Sequence, residues 1–122
     1  MSTKENTKTT ETKKVNKVPS MKEIINTTYQ TALQCYGVVG VSRFDATVSG
    51  KYDPVPEEKA SRGIFVRKVP NDMFDVDLYV VLSSEVKLTE TIFECQKVVR
   101  YALNRAYNHT CRKVNVFVVS IK

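Results

Sequence analysis

An apolar stripe at helical spacing is the first clear pattern in the chain, between residues 20 and 36. Apolar or partly apolar side chains recur every three or four positions from Met21 to Tyr36, as on one face of a helix. Ser20 and Glu23 have the spacing of a capping box, in which each side chain bonds to the backbone amide of the other residue. Gly37 follows the stripe, and glycine is the residue that most often adopts the left-handed backbone at a helix end. The pattern predicts a helix that begins at Ser20 and ends before Gly37.

A β-hairpin is indicated by two segments rich in β-branched and aromatic residues, Ile64–Val69 and Met73–Leu82. The residues between them, Pro-Asn-Asp at 70–72, are typical of a tight turn. Side chains of a strand alternate between the two faces of a sheet, so every second residue from Phe74 onward points toward a core. The opposite face receives Asp75, Asp77, Tyr79 and Val81. We expect one face of this sheet to be core and the other to be at least partly open.

A second helical pattern follows the hairpin and precedes a last β-like run. Its predicted inner stripe consists of Ile92, Cys95, Val99, Ala102, Leu103 and Ala106. Thr89 is the expected N-cap, with Leu88 and Phe93 in the positions of a hydrophobic staple, and the helix should extend to about residue 108. Residues 113–121 are expected to form the final strand. Residues 38–44 favour a brief strand, and the polar, proline-containing residues 45–62 favour a long surface loop.

The order of these elements, which is helix, strand, strand, helix, strand, restricts the fold. The second helix joins two strands and should make a right-handed crossover between them. Both helices then cover only one face of a sheet with three or four strands. We predict an α+β fold, a two-layer sandwich in which two helices lie on one face of a mixed sheet.

Length and composition limit the chain to one folded domain. It has 122 residues, of which 42% are hydrophobic, enough for one core and too few for two. Residues 1–18 hold five lysines and two glutamates with almost no apolar side chains, so we predict a disordered basic tail and a single domain over residues 19–122. The formal net charge is +6, and half of it lies in this tail. The small net positive charge that remains on the folded part is compatible with phosphate binding but does not require it.

The same composition indicates where the protein resides. No apolar run approaches the roughly 7 to 15 residues of a signal peptide or the roughly 20 residues of a membrane span. We therefore expect a cytoplasmic protein. Its cysteines, Cys35, Cys95 and Cys111, are odd in number and lack CxxC spacing, which favours reduced thiols that pack in the core over a disulfide framework.

No combination of residues has the spacing of a catalytic, metal or cofactor site. His109 and Cys111 could supply two of the four ligands that a structural zinc site needs, and no second pair has a suitable spacing. A cysteine nucleophile with the single histidine as its base would also need an oxyanion hole and an orienting acid, and no motif supplies them. Asp75 and Asp77 share one strand face at about 7 Å, which is compatible with paired carboxylates, but strand aspartates are more commonly solvated. The four glycines form neither GxGxxG nor a P-loop. We expect no enzyme activity, no metal, no cofactor and no small-molecule substrate.

The sheet face turned away from the helices, hereafter the outer face, is too apolar to be solvated. Period-two alternation assigns to it Phe65, Arg67, Tyr79, Val81, Phe117 and Val119. Each of the three aromatic side chains has roughly 150 to 250 Å² of surface to bury. If half of their combined area stayed exposed to solvent, the apolar patch would approach the roughly 300 to 600 Å² of the largest patch on a typical monomer. We expect a partner to cover these six residues, unless the loop 45–62 or the tail folds over them as part of the core.

Four short segments of the chain are weak motifs individually, but their order and spacing are specific for a protein family. They are residues 36–41 (YGVVGV), 76–81 (VDLYVV), 96–99 (QKVV) and 114–118 (VNVFV). Together they resemble the alkaline shock protein family of Gram-positive-type bacteria, over roughly residues 15–122. The resemblance implies a small cytoplasmic, non-enzymatic protein linked to envelope or alkaline stress. It also implies that the protein self-associates or is recruited to the membrane by a partner, as some members do.

Two functions from different classes explain the apolar outer face. In the first, the face binds a protein partner or a second copy of the chain, which is also what the resemblance implies. In the second, it binds single-stranded RNA, alone or at the ribosome, by stacking bases on its aromatic rings. The stacking residues are then Phe65, Tyr79 and Phe117, and phosphates are held by Arg67, Lys68 and the basic tail. Asp75 and Asp77 on the same face argue against RNA, because carboxylates repel phosphates.

Overall fold

A computed structural model describes residues 19–45 and 54–122 of the chain. In chain order its elements are α1 (Met21–Gln34), β1 (Val38–Val41), a 3₁₀ helix (Glu57–Arg62), β2 (Ile64–Val69), β3 (Met73–Leu82), α2 (Leu88–Ala106) and β4 (Cys111–Ile121). The two hairpin strands have the bounds that their composition predicts, and the 3₁₀ helix replaces the end of the predicted loop 45–62. The predicted tail of residues 1–18, and residues 46–53 of that loop, lie outside the described residues.

Helix α1 begins with the predicted capping box. The Ser20 hydroxyl accepts a hydrogen bond from the Glu23 amide at 3.2 Å, and the Glu23 carboxylate accepts one from the Ser20 amide at 3.1 Å. These bonds satisfy two backbone amides that have no partner within the helix. The helix ends at Gln34, and Gly37 then adopts a φ of 91° where the chain turns into β1. Local sequence therefore determines where α1 begins and where the chain turns after it.

Strand β3 lies at the centre of the sheet. β4 pairs with it in parallel over residues 74–82 of β3, and this pairing occupies one edge. β2 and β1 both pair with β3 antiparallel, β2 opposite residues 73–78 and β1 opposite residues 80–82, so they lie end to end along the other edge. The sheet is therefore mixed and has four strands, as predicted.

The junction between β1 and β2 is closed at Tyr79 of β3. The Tyr79 amide donates to the Gly63 carbonyl, and the Tyr79 carbonyl accepts from the Ser42 amide, both at 2.9 Å. Gly63 and Ser42 pass so close to each other that a Cβ on Gly63 would lie 2.0 Å from the Ser42 carbonyl oxygen. Glycine is required at position 63 because of this close approach, and its φ of −131° imposes no such requirement.

Both helices pack on one face of the sheet and form the core with it. The core residues of the central strand are Phe74, Val76, Leu78, Val80 and Leu82. They contact buried side chains of both helices, which are Ile24 and Ala32 of α1 and Cys95, Val99 and Leu103 of α2. The structure therefore confirms the predicted two-layer α+β sandwich.

The start of α2 differs from the prediction. The helix begins at Leu88 with Lys87 in the cap position, where no side chain bonds to a first-turn amide, so Thr89 lies inside the first turn. The expected hydrophobic staple is also wrong, because 61% of Phe93 is exposed to solvent. Thr89 therefore does not cap this helix.

Hydrogen bonds hold the turn before α2. The Ser83 amide donates to the Gly37 carbonyl at 2.8 Å, and the Ser83 hydroxyl accepts from the Glu85 amide at 3.1 Å. The turn is thus held next to the start of β1, and α2 follows it without a capping side chain. The helix ends at Ala106, earlier than expected, and β4 begins at Cys111, two residues before the predicted strand.

Candidate partner-binding face

Two aromatic side chains of neighbouring strands stack on the outer face of the sheet. Tyr79 of β3 and Phe117 of β4 are register partners, because the parallel pairing places them side by side. Their ring centroids lie 4.8 Å apart and the ring planes are inclined by 21°. Phe65 of β2 approaches Tyr79 edge-on at 5.9 Å. The structure brings together all three aromatic residues that the sequence assigns to this face.

A fourth ring, that of Phe44, completes this aromatic cluster of Phe44, Phe65, Tyr79 and Phe117. The Phe44 amide donates to the Arg62 carbonyl at 3.1 Å, which holds the segment after β1 close to the start of β2. The Phe44 ring lies edge-on to Phe65 at 5.5 Å and to Tyr79 at 6.4 Å. Sequence reasoning assigned no face to Phe44, although it is the last residue of the brief strand predicted over residues 38–44. In the structure β1 ends at Val41, and the signal that was available was an aromatic residue at the end of a β-like run.

The aromatic cluster is only partly buried. Phe44 is 54% exposed and Phe117 is 43% exposed, whereas Phe65 and Tyr79 are half-buried. Because full burial of an aromatic side chain removes about 150 to 250 Å² from water, these two rings leave on the order of 200 Å² of apolar surface exposed. A contiguous apolar patch with polar neighbours is typical of an interaction site.

A charged strip, formed by Arg67, Asp75, Asp77 and Arg112, lies next to the aromatic cluster on the same face. Asp75 of β3 is buried, with 1% of its side chain exposed, and Arg112 binds it through two hydrogen bonds, from Nε at 3.0 Å and from Nη2 at 2.6 Å. The bond from Arg112 holds the pKa of the Asp75 carboxyl below its ordinary value, although burial acts to raise it. Asp75 is therefore ionised, and its charge is compensated within the sheet face.

Asp77, two positions along β3, is compensated in the same way. It accepts hydrogen bonds from Arg67 Nη2 at 3.0 Å and from Asn115 Nδ2 at 2.9 Å. Burial acts to raise the pKa of Asp77, but these hydrogen bonds outweigh it and the pKa is lowered. Arg67 also lies 3.6 Å from Asp75, so it connects the two carboxylates. Both carboxylates are ionised near neutral pH, which does not suit them as proton donors.

Two valines that alternation assigns to the outer face have different surroundings. Val81 is fully buried, at 0% exposure, and offers no surface to a partner. Val119 is half-buried and lies at a register irregularity, where Val81 pairs with Ser120 in place of Val119. Alternation does not anticipate such an irregularity, because one extra residue changes the face to which the following side chains point.

His109 and Cys111 also differ in their surroundings. His109 is exposed in the turn after α2, with a φ of 61°, whereas Cys111 is buried at the start of β4. Within residues 19–45 and 54–122, no group of three or more His, Cys, Asp and Glu side chains is positioned to hold a metal ion. Neither helix of this described part combines the length and the apolar character needed to cross a membrane.

The two-layer arrangement defines a class of small α+β domain that occurs in solved structures. The MamM CTD, in a structure of its residues 215–293, aligns with 81% of this chain and 96% of its own length, with a TM-score of 0.50 and 16% identity. A MamM CTD variant in its copper form aligns with 83% of this chain and 98% of its own, with a TM-score of 0.51 and 15% identity. At this level of identity the similarity concerns the fold alone.

Sequence similarity assigns the family. The model of the alkaline shock protein 23 family, described by a cell envelope-related function, matches residues 7–122, and the chain belongs to this family. The uncharacterized protein YloU of Bacillus subtilis (strain 168) is 28% identical over 91 residues, which are 75% of each protein. The uncharacterized protein Spy1614 of Streptococcus pyogenes serotype M6 is 29% identical over 92 residues, again 75% of each. The match confirms the resemblance found in the four sequence segments.

Proposed function

We propose that the protein is a non-enzymatic interaction module and that its outer face binds a protein partner or a second copy of the chain. The observation that supports this most strongly is the half-exposed stack of Tyr79 and Phe117 within the aromatic cluster. Rings that contact one another are already ordered, so a partner that packs on them loses little conformational entropy. Aromatic residues at the centre of an interface also contribute a large share of binding energy.

The charged strip supplies the polar rim of this proposed interface. A stable interface buries about 800 Å² on each partner, which is more than the aromatic cluster alone provides. Because the arginines and aspartates of the strip compensate one another, a partner that covers them leaves no charge buried and unpaired. The proposed contact residues are Phe44, Phe65, Arg67, Tyr79, Phe117 and Val119.

The RNA-binding alternative has weaker support. It requires Arg67 to hold phosphates, yet Asp75 and Asp77 already bind its guanidinium. The strip therefore lacks the uncompensated positive charge that attracts a phosphate backbone. Protein binding is the better explanation for the outer face.

The proposed location of the protein in the cell depends on the protein that binds the outer face. We place the protein in the cytoplasm and propose that any association with the membrane occurs through the protein that binds the outer face. The cell envelope-related function of the family supports a role close to the membrane.

Replacement of Phe117 by aspartate tests the proposed function, because it puts a charge within the proposed interface, beside Tyr79. Phe93→Asp is the matched control, since Phe93 is 61% exposed on α2 and lies outside the aromatic cluster. We expect the full chain to form an oligomer, or to capture a specific protein from a bacterial lysate. Phe117→Asp should abolish that association and Phe93→Asp should preserve it, as measured by light scattering and by mass spectrometry of captured proteins.

Two results would contradict this proposal. One is a chain that stays monomeric at high micromolar concentration and captures the same proteins with and without Phe117→Asp. The other is a monomer that binds short single-stranded RNA with steep salt dependence and loses this binding in Phe117→Asp, which would support the RNA-binding alternative.

A further inference from the structure

A basic groove lies between α2 and the first residues of β4. Its volume is about 690 Å³. Its lining includes five basic side chains and a tyrosine, which are Lys97, Arg100, Tyr101, Arg105, Arg112 and Lys113. None of the described residues that line it is an aspartate or glutamate, so its charged side chains are all cations. A groove with this lining attracts an anionic ligand.

Part of this positive charge has no internal counterion. Arg112 is bound to Asp75 on the outer face, and Lys97 forms a pair with Glu94 at 3.4 Å that is exposed and therefore weak. Lys113 forms no salt bridge, but it is the register partner of Asp75 and its charge helps to lower the pKa of that carboxyl. Within residues 19–45 and 54–122, Arg100 and Arg105 also line the groove and form no salt bridge. The groove therefore retains uncompensated positive charge.

The groove opens on the free edge of β4. β4 pairs with β3 along one edge, and no other strand of the described residues pairs with β4. The groove is lined by α2 of the inner face and also by Arg112 and Lys113, which lie beside Asp75 of the outer face, so it extends along the edge of β4. Arg100 Nε donates a hydrogen bond to the Arg112 carbonyl at 3.1 Å, which joins α2 to the start of β4.

We infer that this groove binds an acidic segment of another polypeptide in an extended conformation, which adds to the sheet beside β4. An extended segment forms main-chain hydrogen bonds with a free strand edge, and its carboxylates pair with Arg105 and Lys113. Alternate side chains of a strand point the same way, so acidic residues at every second position face the cations together. The positive charge of the groove and the free backbone edge of β4 therefore both favour an acidic, extended polypeptide segment.

A nucleic acid fits only one of these two features. Its phosphates would pair with Arg105 and Lys113, but its backbone has no regular series of amides and carbonyls to match a strand edge. The presence of the free edge beside the cations therefore favours a polypeptide. The inference does not depend on the aromatic cluster, since none of its residues lines the groove, although Arg112 is shared between the groove and the charged strip.

Fluorescence anisotropy with a labelled peptide of alternating glutamate and valine tests this inference on the full chain. We expect the peptide to bind, and a version with lysine in place of glutamate to show no binding. N-methylation of alternate backbone amides removes main-chain donors and keeps the charges, so it should weaken binding by about tenfold. A peptide that is insensitive to N-methylation would overturn the inference, as would the absence of binding.

Charge reversal in the groove locates the site. The double variant Arg105→Glu, Lys113→Glu should weaken peptide binding by at least about tenfold, because both side chains are exposed cations of the groove. The double variant Lys22→Glu, Lys68→Glu makes the same change in net charge at exposed positions elsewhere and should bind as the unmodified chain does. Phe117→Asp should also leave peptide binding unchanged. Equal weakening by the control variant, or tighter groove-dependent binding of a short single-stranded RNA than of the peptide, would overturn the inference.

Discussion

The ring of Tyr79 lies stacked on the ring of Phe117, its register partner on the parallel strand β4, with 4.8 Å between the centroids. The contact orders both rings within the protein itself, while 43% of Phe117 remains exposed. An ordered ring that is still half in water is well suited to bind another surface, because little conformational freedom remains to be lost. This pair distinguishes the outer face from an ordinary solvated sheet face.

Truncation of Phe117 should affect stability much less than truncation of a core phenylalanine. Phe117→Ala removes one partner of a stacked pair, and such pairs contribute about 0.5–1.5 kcal/mol beyond their buried area. Phe74 is only 1% exposed, and Phe74→Ala leaves a cavity that should cost about 3–5 kcal/mol. Urea unfolding at low protein concentration measures both values. Equal costs for the two variants would show that Phe117 is a core residue and not part of an interface.

Asp75→Asn should lower the free energy of unfolding at neutral pH and remove part of its dependence on acid. Hydrogen bonds to a charged group contribute about 1.5–3 kcal/mol, so we expect a loss of about 2 kcal/mol. The pKa of Asp75 in the folded protein lies below its ordinary value of 3.8. Its contribution is therefore complete above that value and is lost as the pH falls through the lower folded pKa.

Chemical denaturation at a series of pH values below neutrality measures this effect. The unmodified chain should lose stability below about pH 4, and Asp75→Asn should lose less over the same range. Asp72→Asn is the matched control, because Asp72 is exposed in the hairpin turn and has a φ of 58°, a conformation that asparagine also adopts readily. An acid dependence that is unchanged in Asp75→Asn would contradict the prediction.

Gly63→Ala should destabilise the protein although alanine is a small residue. The added Cβ would lie 2.0 Å from the Ser42 carbonyl oxygen and 2.9 Å from Val41 Cγ1. A backbone oxygen has little freedom to move, so we expect a cost at the upper end of the roughly 1–3 kcal/mol typical of overpacking. Thermal unfolding measures the loss, with Ser61→Ala at an exposed position as the control. Hydrogen exchange should also accelerate at the Ser42 amide, and unchanged protection there would refute the explanation.

Cys35 should be the fastest of the three cysteines to react with a thiol reagent. It is half-buried, whereas Cys95 and Cys111 are buried, and its thiol donates a hydrogen bond to the Thr31 carbonyl at 3.4 Å. The neighbouring Cys95 thiol lowers the pKa of Cys35, and the pKa of Cys95 is raised. Burial raises the pKa of Cys111 to about 11. Because the thiolate is the reactive form, we expect one thiol to react about tenfold faster than the other two. Cys35→Ser should abolish the fast phase, and its persistence would assign the fast phase to another cysteine.

The hairpin is a part of the fold that local sequence predicts correctly. The segments Ile64–Val69 and Met73–Leu82 have the bounds that their composition predicts, because a run of β-branched residues ends where turn residues begin. Asn71 and Asp72 adopt φ values of 69° and 58°, which these two residue types tolerate better than most. Each of these features depends on a few neighbours along the chain.

The start of α2 shows where local sequence stops being sufficient. Thr89 has the side chain of an N-cap, yet the helix begins at Leu88. The turn before it is bound to the Gly37 carbonyl through the Ser83 amide. That hydrogen bond joins residues far apart in the sequence. Patterns within one segment contain no information about it.

The sequence by itself determined the α+β class, the capping box of α1, the hairpin and the family, since these depend on local patterns and their order. Only the tertiary structure decided which outer-face residues are exposed. Val81 is buried, Phe44 joins the aromatic cluster, and Asp75 is paired with Arg112, a residue 37 positions away. The physical reason is that alternation specifies the face to which a side chain points, whereas burial and pairing depend on which distant strands and loops meet at that face.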